Sequence, residues 1–588
     1  MPSLSLQNSP SVLPYRVLDE VLQQAVQDCL PDANVANVLV KPCADAKYGD
    51  YQTASLMPLA KERRLSPRQL AEDVMERLQL PNWVRDVEIA GAGFLNFRIA
   101  PAILGECLND AARSEHPFFE PVEQPLTIVI DFSSPNVAKP MHVGHIRSTI
   151  LGDCLARTCR LLGHHVITDN HIGDWGTQFG KLLLGWKQSR DVAALQRDAL
   201  AQMERIYQET NAACENDAAM LEKARQELVK LQTGDSENLA LWREMISLSQ
   251  TQFTAIYRRL GVQFDHTLGE SSYNPRLKAV VQDLQHQGIA RESEGAIAVF
   301  FDEIPELKAH PALIQKSDGA ANYMTTDLAT LQYRAETWNP SEIVYVTDGR
   351  QQLHFKQLFA VFRRWRPDLP IKLAHVWFGA ILGEDGKPFK TRTGDTIKLT
   401  DLLDEAEERA FRVVSEKNPR SDEQQRREIA RIVGIGAIKY ADLLPNRQSD
   451  YTFNWDKMLA LNGNTAPYLL YAYARIRSIF RRHGTETDIE APGQLTAAGL
   501  SAEEEIALVK HLLNFGLVLG AVADEYRPNY LCNYLYDLAG HFTRFYENCP
   551  VLKAEARQRQ TRLLICDLAG EVLKQGLNLL GIETTEQM

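Results

Sequence analysis

Apolar positions follow different rhythms along the chain, and each change of rhythm marks a part of it. From Val17 to Leu30 and from Pro67 to Leu80 they recur at helical spacing, while VEIAGAGFLNFRI is strand-like, with a tight turn at Gly91 and Gly93. Residues 1–118 therefore predict a small α/β domain, and the proline-bearing stretch Pro117 to Pro125 predicts a linker. From Leu126 the run LTIVIDF is short, apolar and β-branched, the composition of a buried parallel strand. A loop follows, then a helix in which Val143, Ile146, Ile150, Cys154, Leu155, Leu161 and Leu162 keep helical spacing and Gly163 takes the place of a left-handed cap. HHVITDN supplies the next strand and completes a βαβ unit.

Residues 187–262 are polar and helical without a strand signal, as expected of an insertion between the halves of a doubly wound sheet. IVYVTD and IKLAHVWFGAIL add strands, and after Leu399 the pattern is helical to the end. The expected fold is an α/β domain on a Rossmann-like, doubly wound parallel sheet (119–398, insertion about 187–262). An N-terminal α/β domain (1–118) precedes it; a connecting helical region (399–455) and an all-α bundle (456–588) follow.

Length agrees with several domains, since 588 residues exceed the roughly 250–300 that one core serves. A net charge of -12 argues against a protein that coats nucleic acid non-specifically, but leaves room for local basic stripes such as Arg475, Arg477, Arg481 and Arg482. Nine scattered cysteines do not form a disulfide framework, no stretch approaches the roughly 20 uninterrupted apolar residues of a bilayer span, and no leader pattern opens the chain. The expectation is a soluble cytoplasmic protein with no membrane partner.

Candidate chemistry concentrates in DFSSPNVAKPMHVGH, Asp131 to His145, between strand and helix. Backbone N–H groups and the positive end of a helix dipole there face an anion. His142 and His145, three apart on the first helical turn, can face one bound group, Gly144 leaves room for a base or ribose, and Lys139 lies close by. Two polar residues at a helix start are the plain alternative. A metal set with Cys154, Cys159 and His164 is set aside, because positions five apart on a helix point about 140° apart. Tyr323 and Asp327, four apart, offer an aromatic face and a carboxylate to a planar cation, or else a capping aspartate beside a half-buried tyrosine. Near the end, Tyr468, Tyr471, Tyr473, Arg475, Arg477, Tyr526, Tyr530, Tyr534, Phe545 and Tyr546 suit either stacked single-stranded bases or bundle packing.

His142-Val-Gly-His145 resembles the HIGH motif of class I aminoacyl-tRNA synthetases, and SSPNVAKPMHVGHIRST resembles the arginyl-tRNA synthetases in particular. GDYQ (Gly49 to Gln52), HIGDWGTQ (His171 to Gln178), YVTDGRQ (Tyr345 to Gln351), GNTAPY (Gly463 to Tyr468) and the ending Leu573 to Ile582 extend the likeness over nearly the whole chain. The resemblance implies that arginine attacks ATP, accompanied by Mg²⁺, giving arginyl-adenylate and pyrophosphate, and that the 3′-terminal adenosine of tRNA(Arg) then receives the arginine. It implies that the first step needs bound tRNA. By the same likeness His142, Gly144 and His145 meet the nucleotide and its α-phosphate. Asp131 and Asn136, with Ser134, hold the α-ammonium group, and Tyr323, Asp327 and Gln351 hold the guanidinium. The mobile signature loop is altered here to KPFKTRTG, Lys387 to Gly394, so Lys387, Lys390 and, in compensation, Lys139 are the expected pyrophosphate contacts. Tyr468, Arg475 and Arg477 fall in the likeness to an anticodon-binding bundle, residues 1–118 in the likeness to a module touching the outer corner of tRNA. A monomer is expected. The alternatives are a class I synthetase for another amino acid, for which a cysteinyl enzyme's Cys/His zinc set is not seen, and a non-catalytic RNA-binding paralogue, which should have lost the histidines or lysines.

Overall fold

The structure, a computed structural model, describes residues 13–389, 396–483 and 500–588. Residues up to Pro121, Ala460–Asn578 and Glu583–Met588 gather in one compact unit, and Val122–Leu459 with Leu579–Ile582 in a second.

The second unit is built on four parallel strands: β1 (Thr127–Asp131), β2 (His165–Asp169), β3 (Glu342–Tyr345) and β4 (Lys372–His375), in the order β4-β3-β1-β2. The two central strands are almost wholly buried, as their unbroken Val/Ile runs require. The chain leaves β1 for β2 on one side and resumes at β3 on the other, so the carboxyl ends of β1 and β3 form the topological switch point at which ligands enter such sheets. Helix α1 (Val143–Leu161) follows β1 and is buried nearly all round, and Gly163 (φ 91°) ends it in the left-handed conformation.

Between the halves, the polar insertion folds as Val192–Arg197, Ala199–Asn216, Ala218–Thr233 and α2 (Ser236–Leu260). Each helix starts on an aspartate, Asp191, Asp198, Asp217 or Asp235, whose carboxylate accepts a backbone N–H of the first turn, and Gly234 and Gly261 close the last two. Helices α3 (Tyr323–Trp338) and α4 (Gln352–Trp365) then flank β3, and Leu328, Leu331, Phe355, Phe359 and Phe362 share a core with Val129 and Ile343. Leu399–Lys417 and α5 (Glu423–Leu443) belong to the same unit.

Two features differ from expectation. IKLAHVWFGAIL is two strands, β4 and Ile381–Leu382; the second pairs in parallel with Tyr451–Thr452. The segment 447–451 crosses at the break: Gly379 donates to Arg447 O, and a Cβ on Gly379 would lie 2.6 Å from Asp450 Oδ1. A small antiparallel sheet, Arg291–Ser293, Ala296–Val299 and Ala312–Gln315, also precedes α3.

The first unit joins a four-stranded antiparallel sheet, in the order Lys41–Pro42, Tyr51–Thr53, Phe94–Ile99, Val84–Ala90, to the helices of the C-terminal region. In the GDYQ stretch, Asp50 accepts from Ile99 N (2.9 Å) and pairs with Lys510 (2.5 Å), and Tyr51 is buried, so these residues hold the unit together. One stretch among the described residues, Glu503–Glu525, is by length and composition apolar enough to cross a membrane, which the sequence reading did not single out. It folds as two helices, Glu503–Leu512 and Phe515–Glu525, with Leu508, Val509, Leu512, Phe515, Leu519 and Val522 inside the unit.

Candidate active site

At the switch point a cavity of about 520 Å³ opens, lined by His142, Gly144, Arg147, Asp348, Trp377 and Phe378 among others. His142 is the N-cap of α1: its Nδ1 accepts the Gly144 N–H at 3.0 Å, and its own N–H donates to His145 Nδ1 at 3.1 Å. Both Nδ1 atoms are thus spent as acceptors, which leaves each neutral ring its proton on Nε2. The ring centroids are 4.1 Å apart. Burial, then the charge of His142, lowers the His145 pKa to about 3, and burial followed by the charges of Lys139 and Arg350 lowers that of His142. At neutral pH the pair is two uncharged N–H donors beside a helix N-terminus, an arrangement for binding phosphate oxygens. Gly144 has a local reason beyond room for a ligand: a Cβ there would sit 2.8 Å from the folded-back His142 ring.

At the ends of β1 and β2 the chemistry is acidic. Asp131 and Asp169 are paired in register at the ends of β1 and β2, and the fully buried Arg334 of α3 donates to both, at 2.6 and 2.7 Å. Ser134 Oγ donates to the other Asp131 oxygen at 3.1 Å. Asp131 is therefore already ion-paired, a partner the sequence reading missed; it shares that one guanidinium with Asp169, whose carboxyl burial pushes up. Arg334 is seven residues after Asp327, two turns along one helix face, which is the signal that could have drawn attention to it.

Asp327, one turn into α3, meets His354 Nε2 at 2.5 Å. Glu270, also missed, stands close enough to feel it: burial first, then the charges of Asp327 and Asp174, push the Glu270 carboxyl up to about 8. A half-buried acid crowded by two others is relieved by a cation placed beside it. Tyr323 is 70% exposed at the start of α3, and Gln351 is exposed just before α4. Asn136 is exposed and bridges to Gly173 of the HIGDWG stretch, where a Cβ would strike Asn136 Oδ1.

Three family models match in chain order: Arginyl tRNA synthetase N terminal domain at residues 16–99, tRNA synthetases class I (R), catalytic domain at 117–455, and DALR anticodon binding domain at 469–588. The chain belongs to the arginyl-tRNA synthetases. Curated relatives named arginine--tRNA ligase are 46% identical in Citrobacter koseri and 45% identical in Klebsiella pneumoniae, each alignment covering 97% of this chain and 99% of the relative. Among solved structures, the Plasmodium falciparum arginyl-tRNA synthetase is 28% identical with a TM-score of 0.82, covering 99% of this chain and all of that one. The Thermus thermophilus arginyl-tRNA synthetase is 26% identical with a TM-score of 0.81, covering 98% of this chain and all of that one.

The remaining expected residues fall as follows. Lys139 is exposed, its ammonium 5.5 Å over the Tyr207 ring of the insertion, and close enough to His142 to depress its pKa. Lys387 is exposed in a turn closed by Gly383 N donating to Lys387 O; Lys390 lies outside the described residues. In the bundle, Arg475 lies over the Tyr471 and Tyr546 rings, Tyr471 is 43% exposed and Tyr468 half-buried against Tyr536. Arg477 is largely covered, with Glu586 3.5 Å away, so it offers less to RNA than Arg475, and Tyr473 and Tyr534 are core residues.

Proposed function

We propose that the chain is an arginine–tRNA ligase that activates arginine with ATP and passes it to the 3′-terminal adenosine of tRNA(Arg). The observation that carries this is the pair of imidazoles whose Nδ1 atoms are both occupied, leaving two Nε2–H donors at a helix N-terminus. ATP lies in the cavity with its base toward Trp377 and Phe378, and the two donors meet the α-phosphate, where negative charge builds as the arginine carboxylate attacks. Mg²⁺ travels on the phosphates, which need few protein carboxylates to hold it. Lys139, Lys387 and Lys390 are the candidates for the departing pyrophosphate.

Asp327 and Glu270 accept from the guanidinium, with Tyr323 and Gln351 at its edge. The Asp131–Asp169–Arg334 cluster, with Ser134 and Asn136, receives the α-ammonium group. The tRNA lies against Tyr468, Arg475 and, less directly, Arg477.

The test is ATP–pyrophosphate exchange with each amino acid, with and without tRNA, followed by charging of tRNA. Of the amino acids only arginine is expected to support exchange, and only with tRNA present. Asp327→Asn keeps the shape and removes the charge; losing one partner of a desolvated ion pair costs about 2–5 kcal/mol, so kcat/KM for arginine should fall from about 30-fold to several thousand-fold. An Asp327→Asn protein with near-normal arginine turnover would remove Asp327 from the site.

A further inference from the structure

We propose that α2, the last helix of the polar insertion, is a strut for the loop carrying His142 and His145, and that Tyr257 is a positioning residue for those imidazoles. The proposal rests on the ligase reading above. The loop after β1 holds three residues with side chains in the left-handed region: Ser133 (φ 75°), Ser134 (φ 50°) and Ala138 (φ 62°). Such residues leave that conformation unless surrounding bonds hold them.

Here the bonds are identifiable, and the insertion supplies two of them. Ala138 N donates to Ser249 Oγ of α2 at 3.0 Å, and that hydroxyl donates in turn to Met245 O at 2.8 Å. Eight residues on, Tyr257 Oη lies 2.8 Å from Ser133 Oγ and accepts from Asn170 Nδ2 at 3.1 Å. The same Asn170 accepts from Ser134 N through Oδ1, which fixes the orientation of its amide. Ser148 Oγ accepts from Ser133 N at 2.8 Å.

Thr149 Oγ1 is 2.8 Å from both His145 O and Ser133 Oγ; a carbonyl only accepts, so Thr149 donates to His145 O. Ser133 Oγ lies 2.8 Å from both Thr149 Oγ1 and Tyr257 Oη and so joins the two hydroxyls. The relay runs from Asn170 through Tyr257, Ser133 and Thr149 to the backbone of His145, with every member buried. Tyr257 is the one member contributed by the insertion. Its hydroxyl touches no part of the cavity lining, so it acts through the placement of His145, and a displaced donor is felt most where charge develops.

The test compares wild type, Tyr257→Phe, Ser133→Ala and the double variant as full chains in arginylation of tRNA, with thermal unfolding alongside. Tyr257→Phe is expected to lower kcat at least tenfold, with KM for ATP and arginine within twofold and Tm within a few degrees. The double variant should be no worse than the worse single, because both cut one relay. Should Tyr257→Phe not fold, Ser133→Ala carries the same criterion. A folded Tyr257→Phe protein with kcat within twofold of wild type overturns the strut, as do losses that multiply in the double variant. A wild-type chain that charges no tRNA overturns the ligase reading and this role with it.

Discussion

In the proposed site, Glu270 ties arginine binding to pH. Its carboxyl is raised to about 8, so at pH 7 it is mostly protonated while the site is empty. A guanidinium alongside favours the ionised form, so binding arginine must expel a proton. The sign follows: below pH 8 the affinity for arginine should climb by up to about tenfold per pH unit, and above 8 it should level off. The apo protein runs the other way. A carboxyl whose folded pKa is raised contributes stability that is present at low pH and lost as pH rises through about 8. Isothermal titration of arginine at pH 7 in buffers of different ionisation enthalpy should register close to one proton released, and Glu270→Gln should abolish both the release and the slope. Release unchanged in Glu270→Gln would assign the proton to another group. His142 and His145 give no such dependence near neutrality, since both are held in the uncharged form.

At the scale of elements, α1 is fixed to the far side of the cavity by one side chain. Arg147, 2% exposed, donates to Gly379 O at 2.8 Å and Ser449 O at 3.2 Å, lies 3.0 Å from Asp442 of α5, and sits over the Phe378 and Tyr451 rings. It thereby clamps the break between β4 and Ile381–Leu382, the wall of the cavity that holds Trp377 and Phe378. Arg147→Met strands the buried Asp442 carboxylate and should cost about 3–5 kcal/mol, measured by denaturant unfolding. Adding Asp442→Leu should restore much of that stability without restoring KM for ATP, because the Gly379 carbonyl still lacks its donor. Recovery of both together would reduce Arg147 to a purely structural residue. This is also the scale at which the sequence was most and least informative. Thr127–Asp131 and His165–Asp169 were legible because buried parallel strands are unbroken apolar runs, and α1 because its apolar spacing and Gly163 cap are local signals. The three-stranded sheet at 291–315 was not, since strands of three or four residues with Leu313 facing solvent are too short to show a period. Arg334 was missed for a different reason: its meaning depends on Asp131, 203 residues away.

In the whole molecule the chain returns to the sheet-bearing unit near its end, before Glu583–Met588 rejoin the first unit. After Asn578, residues Leu579–Ile582 belong with Val122–Leu459. Leu579, Leu580 and Ile582 are each at most 4% exposed, and Gly581 O accepts from Lys439, an α5 ammonium that is 1% exposed. Burying one such aliphatic side chain is worth about 1.5–3 kcal/mol and a hydrogen bond to a charged group about 1.5–3 kcal/mol, both upper figures, because the unfolded chain is itself partly collapsed. Ending the chain after Asn578 removes three of the former and one of the latter from this unit, together with Glu583–Met588 of the first unit. It leaves Lys439 beside Asp153 and Leu260 O but without the Gly581 carbonyl. The expected outcome is a fall of several degrees in the unfolding temperature of the sheet-bearing unit, with weakened charging of tRNA, while the Lys439→Met variant of the full chain loses less because its three aliphatic contacts remain. Differential scanning calorimetry of the two proteins separates the contributions. A truncated chain that unfolds like the full one would show that these four residues rest on the sheet-bearing unit without holding it.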